Sequence, residues 1–271
     1  MDETKKVKLL QLMEQYAGQD VAVAFSGGVD SALLLKLACD SARTAGSKVY
    51  AVTLHTALHP NHEIAAAGQM ASAAGAEHII IRADELQEAG ITHNPVDRCY
   101  RCKKYLFGRI KEWAATKGIH IIIEGTNEDD LHVYRPGIQA VRELGILSPL
   151  AQAGIRKQQV RELAREYGIP AAARPSSPCL ATRFPYGTLL SREAMDKIDR
   201  GEEFIRRLGF YNVRLRVHDN LVRIEVDRQD MPQLLELKDA VTGCLQELGY
   251  TYITLDLAGF RSGSMDENHH H

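Results

Sequence analysis

The chain has 271 residues, of which 45% are apolar and 25% are charged, and its formal net charge is −2. This composition is typical of a globular protein that can bury a core, and the charge gives no general attraction to nucleic acid or to anionic membranes. No apolar run is long enough for a transmembrane helix, and residues 1–15 lack a signal-peptide core. We therefore expect a cytoplasmic protein that binds neither nucleic acid nor membranes.

The first predicted strand and helix enclose a short polar turn. Val21–Phe25 is typical of a buried parallel strand, and Ala32–Arg43 has a helical pattern. The turn between them consists of Ser26, Gly27, Gly28, Val29, Asp30 and Ser31. Its glycines allow close backbone approach, its serines supply hydroxyl donors, and Asp30 can cap the helix, whose dipole favours an anion. We predict a phosphate site rather than an ordinary capped Gly-Gly turn; the absence of a lysine in the turn excludes a Walker A loop.

Strands and helices alternate along the first part of the chain. Further strands are predicted at 49–54, 77–81 and 120–124, and further helices at 64–74, 102–117 and 160–167. This order predicts an α/β domain with a doubly wound parallel sheet, which binds ligands beyond the carboxyl ends of its strands. From 191 onward the pattern becomes helix 191–208 with Ser191 as cap, strands 213–218 and 222–227, helix 234–248 and strand 251–257, which predicts a smaller α+β module.

Three of the five cysteines have a spacing that suits metal ligation. Cys99 and Cys102 form a CxxC at the start of a predicted helix, and Cys179 follows far downstream. Three thiolates with an open fourth position suit a [4Fe–4S] cluster, whereas structural zinc would take a fourth ligand such as His93. From spacing alone, catalytic or unligated thiols stay open as a third interpretation. Cys39 and Cys244 lie within predicted helices, where we expect buried apolar residues.

The SGGxDS turn resembles that of the PP-loop ATP pyrophosphatases, which cleave ATP between the α and β phosphates. Further motifs resemble one family among them, LarE, over about residues 7 to 265. Those motifs occupy residues 94–103, 124–130, 135–137, 183–188, 214–218, 223–225 and 259–263. The resemblance makes 1–175 a PP-loop domain, 176–190 a linker carrying Cys179 and 191–265 a substrate and oligomerisation domain. Residues 266–271 form a tail, and its histidines 269–271 are interpreted as a tag remnant.

The resemblance implies an ATP-dependent sulfur transferase that uses Mg²⁺. LarE enzymes adenylate the carboxylates of pyridinium-3,5-biscarboxylic acid mononucleotide, release pyrophosphate and then replace AMP with sulfur; they assemble as homohexamers. Single-cysteine members sacrifice a cysteine one residue before the position of Cys179, where this chain has Pro178. A second branch binds a [4Fe–4S] cluster through three cysteines. We therefore expect Cys99, Cys102 and Cys179 to be cluster ligands, with sacrifice of Cys179 as the alternative.

The resemblance also assigns charged residues to the site. Arg214 and Arg216 match arginines that contact the substrate phosphate, with a solvated strand face as the alternative, and Arg183 adjoins the segment that carries Cys179. Glu202 and Glu225 match acidic residues linked to metal binding near an oligomer interface, although a surface glutamate is the commoner explanation for Glu202. One acidic residue of the run Glu128, Asp129 and Asp130 is expected to hold Mg²⁺, unless the run only caps its loop.

Three other functions fit parts of this sequence. A tRNA thiolase also couples a PP-loop to a three-cysteine cluster, but it needs a basic RNA-binding surface that the charge pattern lacks. An ammonia-using ligase of the NAD- or GMP-synthetase kind would leave the three cysteines without a role. A zinc-stabilised nucleotide-binding module without catalysis is the third alternative.

Overall fold

The structure is a computed structural model that describes residues 2–58, 62–133, 135–170, 179–261 and 265. The chain packs as two compact units. The first comprises Met1–Ile91 and Asp97–Ser176 and the second Thr92–Val96 and Ser177–His271, counting only the described residues in each range. Pro178 and residues 269–271 lie outside the described residues. No helix within the described ranges is both long and apolar enough to cross a membrane.

The first unit is built on a parallel sheet of four strands. They are β1 (Val21–Ala24), β2 (Val49–His55), β3 (Glu77–Arg82) and β4 (Ile121–Ile123). Their order is β3-β2-β1-β4, and every neighbouring pair is parallel. The chain thus builds outward from β1 to β3 and then returns to place β4 on the other side of β1. The boundary between β1 and β4 is therefore the topological switch point, where sheets of this kind bind ligands.

Helices pack on both faces of this sheet because successive side chains of β1 enter different cores. Val21 and Val23 join one buried cluster with Leu33, whereas Ala22 joins another with Ile110. The helices described in this unit are α1 (Glu3–Ala17), α2 (Val29–Ala45), α3 (His62–Ala74), α4 (Glu85–Glu88), α5 (Arg98–Thr116), α6 (Pro136–Glu143), α7 (Pro149–Gln152) and α8 (Lys157–Glu166). The predicted doubly wound α/β class is confirmed.

The second unit is a smaller α+β module. Its elements are α9 (Arg192–Arg207), β5 (Val213–His218), β6 (Leu221–Val226), α10 (Met231–Glu236), α11 (Lys238–Glu247) and β7 (Tyr252–Leu255). Strand β6 is central, antiparallel to β5 and parallel to β7. The predicted cap is confirmed, since the Ser191 hydroxyl accepts a hydrogen bond from the Ala194 N–H at 3.1 Å.

Most predicted helices have somewhat different bounds in the structure, and two of the differences affect how the chain is interpreted. The prediction of one helix over 234–248 is wrong, because α10 begins at Met231 with Pro232 in its first turn and ends before Leu237. Leu237 has φ −95° and ψ 11°, which separates α10 from α11. The helix predicted to begin at Cys102 begins at Arg98 instead, so Cys99 also lies within α5.

Candidate functional site

The turn after β1 is closed by hydrogen bonds between its own residues. The Ser31 hydroxyl accepts from the Ser26 N–H at 3.3 Å and donates to the Gly28 carbonyl at 3.1 Å. The Ser26 hydroxyl accepts from the Gly28 N–H at 3.3 Å, and Gly27 has a φ of +75°, which favours glycine. The turn leads directly into the amino end of α2, which is the positive end of the helix dipole.

Asp30 lies in the first turn of α2, and the prediction that it caps the helix is wrong. The helix already begins at Val29, so Gly28 occupies the cap position and Asp30 lies two residues beyond it, as the second residue of the helix. Its carboxylate instead accepts a hydrogen bond from the Asn127 side-chain amide at 3.3 Å and forms an ion pair with the Lys157 ammonium. Groups from two other segments of the first unit therefore meet at this carboxylate.

The segment after β4 closely approaches the start of α2. A Cβ added at Gly125 would lie 3.0 Å from the Cβ of Asp30 and 3.2 Å from the backbone nitrogen of Ser31. Buried Glu124 holds this segment, because its carboxylate accepts hydrogen bonds from the Thr126 N–H and hydroxyl, each at 2.9 Å. A side chain at position 125 would therefore crowd Ser31 and Asp30, the residue that Asn127 approaches.

Replacing Gly125 with alanine is expected to lower the free energy of unfolding by about 1–3 kcal/mol, the usual cost of overpacking. The matched control is Gly108→Ala in α5, where an added Cβ meets no heavy atom within 4 Å. That control should be neutral or stabilising by about 0.5–1 kcal/mol, since alanine suits a helix better than glycine. Urea unfolding measures both, and equal stability of the two variants would contradict the close packing at Gly125.

The acidic run after β4 is engaged in contacts within the first unit. Asp129 accepts a hydrogen bond from the Lys157 N–H at 2.8 Å. Asp130 accepts from the Asn127 N–H at 3.1 Å and pairs with Arg135 at 2.8 Å. Glu128 lies 2.8 Å from the His132 ring. These contacts shape the loop that carries Asn127, and the role of the run in holding Mg²⁺ stays a prediction.

Lys157 is a candidate site residue that sequence reasoning missed. It is the first residue of α8, far along the chain from the turn, and the sequence around it has no recognised motif. Only the tertiary fold brings its ammonium to Asp30. The Lys157 side chain is 35% exposed and that of Asp30 is 19% exposed, so this cation stays accessible to a ligand at the turn.

The second unit contains a buried cluster of arginines and glutamates. Arg183 is 1% exposed and binds the fully buried Glu202 through two hydrogen bonds, Nε to Oε1 at 2.8 Å and Nη2 to Oε2 at 2.9 Å. Glu202 also accepts from Arg206 at 2.7 Å and from the Leu215 N–H at 3.1 Å. Burial alone would raise the pKa of Glu202, but the nearby arginines, Arg183 foremost, hold it below its usual value.

The two arginines of β5 are buried rather than solvated. Arg216 donates to Glu225 from Nε at 3.0 Å and pairs with it through Nη2 at 2.9 Å. Arg214 lies over the Phe260 ring, with its guanidinium carbon 5.1 Å from the centroid. Burial, together with the charges of Arg183 and other arginines, lowers the pKa of Arg214 to about 10.

Glu202 is not the surface carboxylate that the alternative interpretation of the sequence described, and Glu225 is buried as well. Both are fully buried, and both accept hydrogen bonds from arginines. A divalent cation at either carboxylate would have to compete with those arginines for the same oxygens. Their proposed role in metal binding stays a prediction.

The three candidate cluster ligands are distributed over both units. Cys99 and Cys102 are three residues apart on α5 in the first unit, a spacing that places them on one face of the helix. Cys179 is half-buried in the second unit, just before the short 3₁₀ turn Leu180–Arg183. All five cysteines are described, and none forms a disulfide. In the described part of the chain, no three His, Cys, Asp or Glu side chains are grouped so as to hold a metal ion.

The remaining two cysteines are poor candidates for ligands. Burial raises the pKa of Cys39 to about 11 and also raises the pKa of Cys244. A thiol must lose its proton to bind a metal, so these two sites disfavour ligation. The role of Cys99, Cys102 and Cys179 as cluster ligands stays a prediction.

Comparison with known proteins extends over both units. A family model of the PP-loop domain matches residues 1–133. The pyridinium-3,5-bisthiocarboxylic acid mononucleotide synthase of Lactiplantibacillus plantarum is 37% identical over 264 residues, covering 97% of this chain and 94% of that protein. An uncharacterised protein of Synechocystis sp. is 37% identical over 263 residues, covering 95% and 96%. Another, of Methanocaldococcus jannaschii, is 29% identical over 259 residues, covering 95% and 98%.

Proposed function

Because the chain belongs to the LarE family of PP-loop proteins, we propose that it is an ATP-dependent sulfur transferase acting on pyridinium-3,5-biscarboxylic acid mononucleotide. The observation that carries this proposal is the closed Ser-Gly-Gly turn at the switch point, where Lys157 and Asn127 meet Asp30. A turn of this kind offers N–H groups, a helix dipole and an accessible ammonium to the phosphates of a nucleotide.

The proposed reaction has two steps for each carboxylate. A substrate carboxylate oxygen attacks the α phosphorus of ATP, the bond to the bridging oxygen breaks, and pyrophosphate leaves. Sulfide then attacks the acyl carbon, and AMP leaves with the electron pair of the broken C–O bond. The thiocarboxylate keeps the sulfur, and the proton of hydrosulfide passes to solvent. Adenylation is needed because AMP is a far better leaving group than oxide.

The first unit is proposed to stabilise the departing pyrophosphate. Residues 26–31 would surround its oxygens, with Mg²⁺ and the Lys157 ammonium neutralising the charge that develops. In the second unit, Arg214 is proposed to bind the phosphate or a carboxylate of the mononucleotide. Arg183 and Arg216, whose guanidinium groups already bind Glu202 and Glu225, are proposed to add positive charge to the same site. The positive charges of Arg183 and Arg216 close to Arg214 support an anion there.

The proposed sulfur source is a [4Fe–4S] cluster held by Cys99, Cys102 and Cys179. Three thiolate ligands leave one iron of such a cluster open, and the group would supply sulfide for transfer. The alternative is that Cys179 itself gives up its sulfur. We also propose a homohexamer, from the family resemblance, and a cytoplasmic location, from the sequence pattern described above.

The proposed function is tested by following AMP and pyrophosphate when ATP, sulfide and the biscarboxylic acid mononucleotide are supplied. Both products should depend on the mononucleotide, which should exchange a carboxylate oxygen for sulfur in its mass spectrum. Nicotinamide mononucleotide, which has no free carboxylate, is the matched control and should give no AMP. Stimulation of AMP formation by tRNA but not by the mononucleotide would overturn the proposal and favour the tRNA thiolase.

A further inference from the structure

We infer that the buried pairs Arg183–Glu202 and Arg216–Glu225 act as a clamp that positions Cys179, an inference that rests on the proposed role of Cys179 in sulfur transfer. Cys179 precedes the short 3₁₀ turn Leu180–Arg183. Its carbonyl accepts hydrogen bonds from the Thr182 N–H at 3.1 Å and from the Thr182 hydroxyl at 2.8 Å. A shift of Thr182 would therefore shift the backbone of Cys179 as well.

The first half of the clamp is the Arg183 guanidinium. Its Nη1 donates to the Cys179 carbonyl at 3.2 Å and to the Thr182 hydroxyl at 2.9 Å. Its Nε and Nη2 donate to the two carboxylate oxygens of Glu202. The planar guanidinium of Arg183 therefore connects the fully buried carboxylate of Glu202 to the backbone of Cys179. Because the N–H groups of a guanidinium have fixed directions, the distance and orientation between the two are restricted.

The second half of the clamp reaches the same turn from the sheet. Arg216 of β5 donates from Nη1 to the Thr182 carbonyl at 2.9 Å. Its Nε and Nη2 contact Glu225, which is fully buried on β6. Thr182 is therefore held through its hydroxyl by one arginine and through its carbonyl by the other.

The chemistry of the clamp makes the glutamates positioning residues. Hydrogen bonds between charged partners are strong where water is excluded, and a buried arginine that loses its carboxylate must find other partners. Removing Glu202 should therefore release Arg183 from its present geometry and loosen the hold on Thr182 and Cys179. This role needs no metal at Glu202 or Glu225.

The test measures how fast iodoacetamide alkylates Cys179 in the full chain after metal ions have been chelated, with each cysteine resolved by mass spectrometry. Glu202→Gln should raise the Cys179 rate about fivefold or more, the factor expected from losing one net hydrogen bond. Thr182→Val, which removes the hydroxyl link, should raise it about twofold to threefold. The matched controls are Glu203→Gln, a glutamate of α9 that pairs with Arg206 and Arg207, and Thr182→Ser.

The internal standards are Cys39 and Cys244, whose rates report on folding. An unchanged Cys179 rate in Glu202→Gln, with both standards also unchanged, would overturn the clamp. If all cysteines of Glu202→Gln react faster, that variant is unfolded and gives no test of the clamp. The comparison of Thr182→Val with Thr182→Ser then tests it, and equal Cys179 rates in these two variants would overturn the clamp. The assay contains neither ATP nor substrate, so failure of sulfur transfer would refute the proposed function and leave this result standing.

Discussion

Replacing Lys157 with alanine is expected to slow AMP and pyrophosphate formation by about 100- to 1000-fold, the loss typical of removing one preorganised donor to developing negative charge. The Lys157 ammonium contacts Asp30 in the first turn of α2, beside the turn that would hold the pyrophosphate. Its partial exposure allows it to exchange that carboxylate for a phosphate oxygen. Pyrophosphate release at saturating mononucleotide, measured over a range of ATP concentrations, checks the prediction.

A matched control is available one residue away. Gln158 is an exposed residue of α8 whose side-chain amide donates a hydrogen bond to Glu162, and Gln158→Ala should change the rate by less than about twofold. Lys157→Arg keeps the charge and should retain more activity than Lys157→Ala. Comparable activity of Lys157→Ala and Gln158→Ala would contradict a role for this ammonium.

A double variant separates two roles of Lys157. If the ammonium only neutralises Asp30, then Lys157→Ala should cause no further loss once Asp30 has been changed to asparagine. If the ammonium also acts on the nucleotide, the double variant should be at least about tenfold slower than Asp30→Asn alone. The loss of the nucleotide contact then adds to the loss of the Lys157–Asp30 pair. We expect the second result.

The architecture around the turn could be predicted because local signals agreed with one another. The apolar run Val21–Phe25, the glycines after it and the helical pattern that follows each point to a strand, a turn and a helix. Strands that alternate with helices then leave few topologies, which is why the parallel sheet was predictable. The structure confirms this part of the fold and shows β1 next to β4.

The contacts at the site could not be predicted in the same way. Lys157 and Asp30 are far apart in sequence, and only the packing of α8 within the first unit brings them together. The burial of Glu202 likewise depends on a partner from another element, Arg183, and the sequence favoured a surface position. Side-chain partners that come from different elements follow from tertiary packing, which periodicity and motifs do not report.

The local errors have local causes. Asp30 has the residue type of a helix cap, but the helix begins at Val29 and its cap position is Gly28, two residues before Asp30. The apolar pattern over 234–248 continues through Leu237, where the backbone nevertheless leaves the helical region. Hydrophobic periodicity detects which residues face the core, and it does not detect a single residue that separates two helices.

Cys179→Ser is expected to abolish cluster-dependent sulfur transfer, and so is the triple alanine variant of Cys99, Cys102 and Cys179. After anaerobic reconstitution, the unchanged chain should hold about four irons and matching sulfide, with the absorbance and EPR signals of a [4Fe–4S] cluster. The triple variant should hold none. Cys244→Ser is the matched control, because the raised pKa of Cys244 disfavours a metal-binding thiolate, and its iron content should not change.

The number of turnovers per chain distinguishes the two sulfur sources. A cluster that is resupplied with sulfide should support many rounds of transfer while the mass of the chain stays constant. If Cys179 is sacrificed instead, each chain should stop after one event and lose the mass of hydrogen sulfide at that residue. Absence of iron after careful reconstitution, together with that mass loss, would contradict the cluster and assign the sulfur to Cys179. Pro178 stands where single-cysteine relatives have their donor, so the first outcome is the one we expect.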